Sequence, residues 1–292
     1  MNLPAVNLAA ATDDGSVARR TLVHPTSLLT GIGIHGGETG GVQFLPAPAG
    51  TGLVFQSVRT GQEIAVHPSN RHSTTRCTAI SAGGEVFFTV EHVLSALNGC
   101  GVTDAVIAFE GPEAPILDGS AAPFVAEIVK AGLTDLDARI EPIRLMSPLT
   151  VQGDGASMIT AAPSDHFWIN VVVDYPGKPL MTPQAASYQG VDYAVGVAPA
   201  RTYGFVAELK LLAERGLAKG ASRENAFALR EDGTPDESTP LRFANEAARH
   251  KLLDLIGDLA FAGRPIRAGI VAVQPGHGLN MRLAAELSGL IA

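Results

Sequence analysis

Residues 86–109 read VFFTVEHVLSALNGCGVTDAVIAF. Val86 to Thr89 is a short β-type run. Val90 to Asn98 then repeats its apolar residues at helical spacing and stops at Gly99, with Thr89 placed to cap the first turn. Ala105 to Phe109 is a continuous apolar run of the length of a buried strand. Upstream, from Thr21, the runs Gly41–Leu45, Gly52–Gln56, Glu63–Val66 and Cys77–Ser81 alternate with Gly and Pro and predict strands of an open sheet. Downstream, Ala122–Ala131 predicts a second helix. A similar programme follows: strands near Ile143–Val151, Ser157–Ala161 and Phe167–Asp174, a helix at Phe205–Glu214, a long helix at Ala244–Ala262 and a strand at Gly269–Ala272. Strands followed by helices in each half predict an α+β protein of two similar two-layer α/β sandwich domains. Their bounds are 21–138 and 139–292, with a junction near Asp137 to Pro142 and residues 1–20 as an N-terminal tail. No close repeat is visible, so the duplication rests on element order. The stretches Pro176–Val197 and Glu231–Pro240 read as surface loops.

With 46% hydrophobic and 17% charged residues in 292, the chain has material for two cores and little for long disordered stretches. A net charge of −8, without any Lys/Arg cluster beyond isolated pairs, argues against a nucleic-acid partner. A phosphate-bearing small substrate needs only a few placed cations. Cys77 and Cys100 are the only cysteines and lie in no C-x-x-C or Cys/His cluster, which points to a reducing cytoplasm. The first residues carry Asp13 and Asp14 ahead of any Arg and do not read as a secretory signal. No apolar run reaches the roughly eighteen residues of a membrane span, so any membrane contact is peripheral. A cytoplasmic monomer is the expectation.

On the long helix, Glu246, His250, Asp254 and Asp258 stand four residues apart and share one stripe, opposite Leu252, Leu253, Leu255, Ile256 and Leu259. A lone His-x-x-x-Asp of this kind reads first as a solvated polar face. Glu91 and His92, near the start of an otherwise apolar helix, read alone as a helix end reaching water. Together, His92, His250 and Asp254 make the three nitrogen and oxygen ligands that a catalytic zinc site uses while leaving one position open. Glu91, about a hundred degrees round the helix from His92, falls beside such a metal rather than on it. His277, between Gly276 and Gly278, reads as a loop histidine free to face a cleft. Gly31–Gly37 lacks both the third glycine of a dinucleotide loop and the Lys-Ser/Thr of a P-loop, and reads as a tight turn between strands.

Taken in order, these stretches resemble the UDP-3-O-acyl-N-acetylglucosamine deacetylases, zinc enzymes of lipid A synthesis. The matching segments are Gly31–Gly37, Thr89-Val90-Glu91-His92 with Ser95-Ala96-Leu97, Ile116–Phe124, Ala200–Phe205, Arg249–Asp254 with Ile256–Leu259, and Gly276-His277 with Leu279-Asn280. The resemblance implies two domains packed face to face around the site, with a βαβ insertion near Thr202–Ala226 forming an acyl passage. It implies zinc on His92, His250 and Asp254, Glu91 as general base, and His277 as general acid with Asp258 as its partner. Thr202 falls at the oxyanion donor and Lys251 at a substrate or oxyanion contact. Tyr203, Val206, Leu209, Ala221, Ser222 and His35 fall on the substrate and its passage. The implied substrate is an acylated UDP-amino-sugar.

Departures concern the substrate rather than the hydrolysis. Gln274-Pro275 replaces a Lys-Ser before the glycine-histidine pair, removing a cation expected near the diphosphate. Thr103-Asp104-Ala105, Glu224-Asn225-Ala226 and His35-Gly36-Gly37 also differ from the family's usual triplets. Two further readings stay open: a divergent zinc deacetylase acting on another N-acetylated sugar, and a non-catalytic metal-binding homologue. Fe2+ suits a two-histidine, one-carboxylate site as well as Zn2+ does.

Overall fold

The computed structural model describes residues 15–290 except 176–182 and 191, and it leaves the side chains of Leu209 and Lys210 undescribed. Two sheets carry the fold. The first runs in the order Leu29–Ile32, Thr39–Pro46, Ala105–Glu110, Leu53–Ser57, Glu63–Ala65. The second runs Leu149–Gln152, Met158–Pro163, Ile266–Val273, Trp168–Val173, Gln184–Tyr188, with Ile143–Arg144 beside Ile266–Arg267. In both, the third and fourth strands of the order are parallel and the other neighbours along the order are antiparallel; the added pair Ile143–Arg144 with Ile266–Arg267 is parallel. The shared order and direction give the similarity between halves that element order alone predicted. This is an α+β protein in which each half repeats one plan.

The helices are α1 (Glu91–Gly99), α2 (Ala122–Ala131), α3 (Tyr193–Gly196), α4 (Val206–Glu214), α5 (Glu246–Asp258) and α6 (His277–Ser288). One core runs through both halves, from Phe44, Phe55 and Phe109 to Ile159, Ile169 and Ile270. Where the halves meet, α1 packs on α5. Ser95 Oγ donates to the Leu253 carbonyl at 2.7 Å and Asn98 Nδ2 to that of Ile256 at 2.8 Å. A Cβ on Gly257 would stand 2.1 Å from the Glu91 carbonyl oxygen and 3.1 Å from the Ser95 amide, so only glycine lets the two backbones approach this closely. Gly257→Ala is therefore expected to destabilise the protein by about 1–3 kcal/mol, the usual range for overpacking, measured as a lowered midpoint of denaturant unfolding.

Several expectations need correction. Thr89 is not a helix cap: its φ of 58° is left-handed, and its hydroxyl donates to Glu113 Oε1 at 2.7 Å, while Val90 precedes α1 with no side-chain cap. Of the expected tail, residues 1–14 lie outside the described residues, and Val17–Leu22 is a strand paired with Leu133–Ile140. That partner strand runs across position 138, where the junction between halves was placed. The expected loop Pro176–Val197 contains the edge strand Gln184–Tyr188 and helix α3, and 176–182 and 191 lie outside the described residues. The expected long helix ends at Asp258 and continues as a 3₁₀ turn over Leu259–Ala262. The single strand expected over Ile143–Val151 is two short ones. Glu231–Pro240 is a loop and Gly31–Gly37 a turn between antiparallel strands, as read.

Candidate metal centre and catalytic site

The polar stripe of α5 does not face solvent: Glu246, His250, Asp254 and Asp258 are all buried. Each is accounted for by a partner. Glu246 takes Arg201, whose Nε lies 3.0 Å from Oε1, and so supports the helix start rather than the chemistry. His250 Nδ1 lies 3.0 Å from the Ala200 carbonyl, which makes Nδ1 the protonated nitrogen and turns Nε2 toward Asp254. There His250 Nε2 stands 3.3 Å, and His92 Nε2 3.8 Å, from Asp254 Oδ1. One ligand atom from each of His92, His250 and Asp254 lies within 4.8 Å of the others.

The donor set fits a divalent cation. Asp254 Oδ1 is buried without a hydrogen-bond partner, a costly state for a carboxylate oxygen unless a cation takes it. Its other oxygen accepts from Lys251 Nζ at 2.8 Å. Burial is the largest influence on Asp254 and favours the neutral acid, yet His250, Lys251, His277 and His92 outweigh it and hold the carboxyl below its ordinary range. Burial and the neighbouring His250 push His92 down to about 3, and burial lowers His250 as well. Two neutral imidazoles and one carboxylate are what metal ligation requires.

Beside this cluster, Glu91 Oε2 accepts from the Thr78 amide at 3.0 Å, and Oε1 faces His277 Nε2 at 3.7 Å. His277 Nδ1 lies 3.0 Å from Asp258 Oδ2. Asp258 is itself held by the Thr78 hydroxyl at 2.6 Å and Asn280 Nδ2 at 2.9 Å. Burial pushes Glu91 up to about 8, with Asp258 and Asp254 adding to it and His277 opposing. Burial opposes charge on His277, but Asp258 and then Glu91 outweigh it and raise it to about 9. A single cavity of about 830 Å3 is lined by His35, Glu91, His92, Thr202, Tyr203, Val206, Ala221, Ser222, His250, Lys251, Asp254 and His277. A second cavity, of about 540 Å3, lies among Leu53, Val102, Phe167 and Ile266 and holds none of these groups.

Residues 19–289 match the family model described as UDP-3-O-acyl N-acetylglycosamine deacetylase. The chain belongs to this deacetylase family. A UDP-3-O-acyl-N-acetylglucosamine deacetylase of Geobacter sp. (strain M21) is 38% identical over 262 residues, covering 88% of this chain and 85% of the relative. One from Leptospira biflexa is 37% identical, covering 92% and 89%, and one from Saccharophagus degradans is 36% identical, covering 88% and 86%. Membership of the deacetylase family thus extends over both halves and every element of the site.

Within this member of the deacetylase family, some residues stand otherwise than the sequence suggested. His277 is not on a loop but is the first residue of α6, with Gly276 ahead of it; the flanking glycines hid a helix start. Asp258 lies behind His277 instead of on the cavity wall. Tyr203 stacks on Phe227 at 5.1 Å and its hydroxyl bonds that of Tyr175, so it backs His250 as well as lining the cavity. The side chain of Leu209 lies outside the described residues. His35 lines the cavity with a buried, unpartnered Nδ1, and burial lowers its pKa against the pull of Glu113. Sequence reasoning missed Thr78, which braces both Glu91 and Asp258, because a threonine just ahead of a strand carries no spacing signal. Asn280 was visible only as part of a family motif.

Proposed function

We propose that the chain hydrolyses the N-acetyl amide of UDP-3-O-acyl-N-acetylglucosamine and releases acetate, the deacetylation of lipid A synthesis. His92, His250 and Asp254 hold zinc in this reading. The observation that carries it is the convergence of an unsatisfied, charged ligand set with an opposed carboxylate and imidazolium in one cavity. Zinc so held would lower the pKa of a coordinated water and polarise the amide carbonyl. Glu91 takes the proton of the attacking water at Oε1, since Oε2 is engaged by the Thr78 amide. A divalent cation on three ligands that carry a single carboxylate charge would stay net positive and would draw Glu91 from its raised pKa back toward the ionised form. His277 donates from Nε2 to the departing amine, because Nδ1 is committed to Asp258. Thr202 is positioned on the cavity wall to donate to the oxyanion. Lys251, already paired with Asp254, positions that ligand and adds positive charge near the oxyanion.

His277→Ala is expected to lower turnover by about 10²–10⁴, the range for a lost general acid, while bound metal stays at the wild-type ratio. Loss of metal would make His277 a ligand and the assigned role wrong. Asp258→Asn removes the strongest influence raising His277 and leaves burial, which lowers it. A general acid is lost as pH rises through its pKa, so the alkaline limb of kcat/KM moves to lower pH in the variant. An unmoved limb would assign it to another group.

A second reading, a divergent member acting on another N-acetylated sugar, is favoured by one feature. Gln274 stands where a lysine is expected, and its amide nitrogen donates to the Asp174 carbonyl at 2.8 Å, so no cation faces a diphosphate from that position. Acetate release from the acylated UDP-sugar by metal-loaded protein separates the two readings. The complete set of ligands, base and acid argues against a non-catalytic homologue.

A further inference from the structure

The βαβ segment built from Tyr203–Phe205, α4 and Phe227–Leu229 reaches the first half of the chain partly by backbone. The amides of Lys219 and Gly220 donate to the carbonyls of His35 and Ile34 at 3.3 and 3.1 Å. It also does so by a side-chain pair. Arg76 Nη1 donates to Glu208 Oε2 at 2.8 Å, joining the loop before Cys77 to the first turn of α4 across 132 residues. Both residues line the cavity that holds Glu91 and His277. Arg76 has a φ of 67°, left-handed backbone that an arginine seldom adopts without support from its surroundings. Among its described side chains, α4 buries only Leu212, while Val206 and Leu211 remain 43% and 42% exposed. A helix with so little apolar burial is held weakly by packing. Val206 and Leu212 nevertheless line the cavity, so the position of α4 sets the width available to an apolar chain.

We infer that the Arg76–Glu208 pair is a specificity latch: it fixes α4 as a wall of the cavity and thereby sets the preference for an acylated substrate. The inference rests on the proposed function. Arg76 is a positioning residue, since its guanidinium is engaged by a carboxylate rather than left open for phosphate. The pair is partly exposed, 43% on Arg76 and 38% on Glu208, so its effect is modest. Arg76→Ala and Glu208→Ala should each raise KM for UDP-3-O-acyl-GlcNAc by about two- to fivefold, the range an exposed pair supports, with a smaller change in kcat. The ratio of kcat/KM for acylated over unacylated UDP-GlcNAc should fall by the same factor. The charge-reversed double variant Arg76→Glu/Glu208→Arg should restore it. Amide exchange over Val206–Glu214 should quicken in each single variant and slow again in the double one.

An unchanged ratio in both single variants would overturn the latch. So would an equal rise in KM for both substrates, which would mark Arg76 as a diphosphate contact, or a double variant that restores nothing. Should the wild-type protein turn over neither substrate, the proposed function fails and amide exchange alone decides. Quickening and restoration then support the part of the inference in which the pair holds α4, and unchanged exchange overturns it.

Discussion

Glu91→Gln should lower kcat by about 10²–10⁴, the usual contribution of a positioned general base, with metal content and unfolding midpoint close to wild type. Glutamine keeps the shape of the side chain and an oxygen to accept the Thr78 amide, the bond that orients Oε2 at 3.0 Å, so the brace between Glu91, Thr78 and Asp258 survives. What disappears is the carboxylate oxygen that faces His277, Oε1 at 3.7 Å from Nε2. A second consequence has a definite sign. Glu91 helps to raise His277, so in the variant the pKa of His277 falls and residual activity declines at lower pH than in the wild type. Steady-state turnover with acetate detection, alongside metal analysis of the same sample, checks both. A rate within threefold of wild type would remove Glu91 from the chemistry.

Stripping the metal should abolish activity and lower thermal stability together. Without an ion, Asp254 Oδ1 is a buried charge with no hydrogen-bond partner, and His92 and His250 present neutral nitrogens to it. A cation that binds only the folded chain at a thousand times its Kd adds about 4 kcal/mol, which for a chain of this size corresponds to a rise in Tm on the order of 5–10 °C. Chelation should reverse that rise and zinc should restore both Tm and turnover. Asp254→Ala should lose the zinc-dependent shift altogether. A chelated protein with full activity would contradict the assignment of these three residues, as would a zinc-dependent Tm shift that persists in Asp254→Ala.

The parts of this site that were legible in the sequence are those set by helical period. His250, Asp254 and Asp258 share a stripe because side chains four apart overlie one another, and Glu91 with His92 falls at the head of α1 because the helical spacing of apolar residues begins at Val90. The burial of that stripe was not legible. A run of Glu, His, Asp and Asp along one face reads as solvated, and it is buried by long-range partners: α1 crosses α5 at Gly257 with the backbones nearly touching, and Arg201 pairs with Glu246. Long-range pairing explains the other misses. Val17–Leu22 is held by residues 133–140, a partner that no local pattern announces. Gln184–Tyr188 has few β-branched residues and survives as an edge strand through its ladder with Trp168–Val173. Thr89 carries the right side chain for a cap but sits in left-handed backbone, which sends its hydroxyl to Glu113. Similarly, Gln274 at φ 48° turns the chain sharply before His277, so a residue flanked by glycines begins a helix.

Acetate release by the folded, zinc-loaded protein from UDP-3-O-acyl-GlcNAc, with UDP-GlcNAc as the comparison, decides whether the proposed hydrolysis occurs. Release should be fast from the acylated sugar and slow from the unacylated one, since one cavity is lined by Glu91, His277 and residues of α4. No release from either substrate by a sample shown to be folded and metal-bound would contradict it.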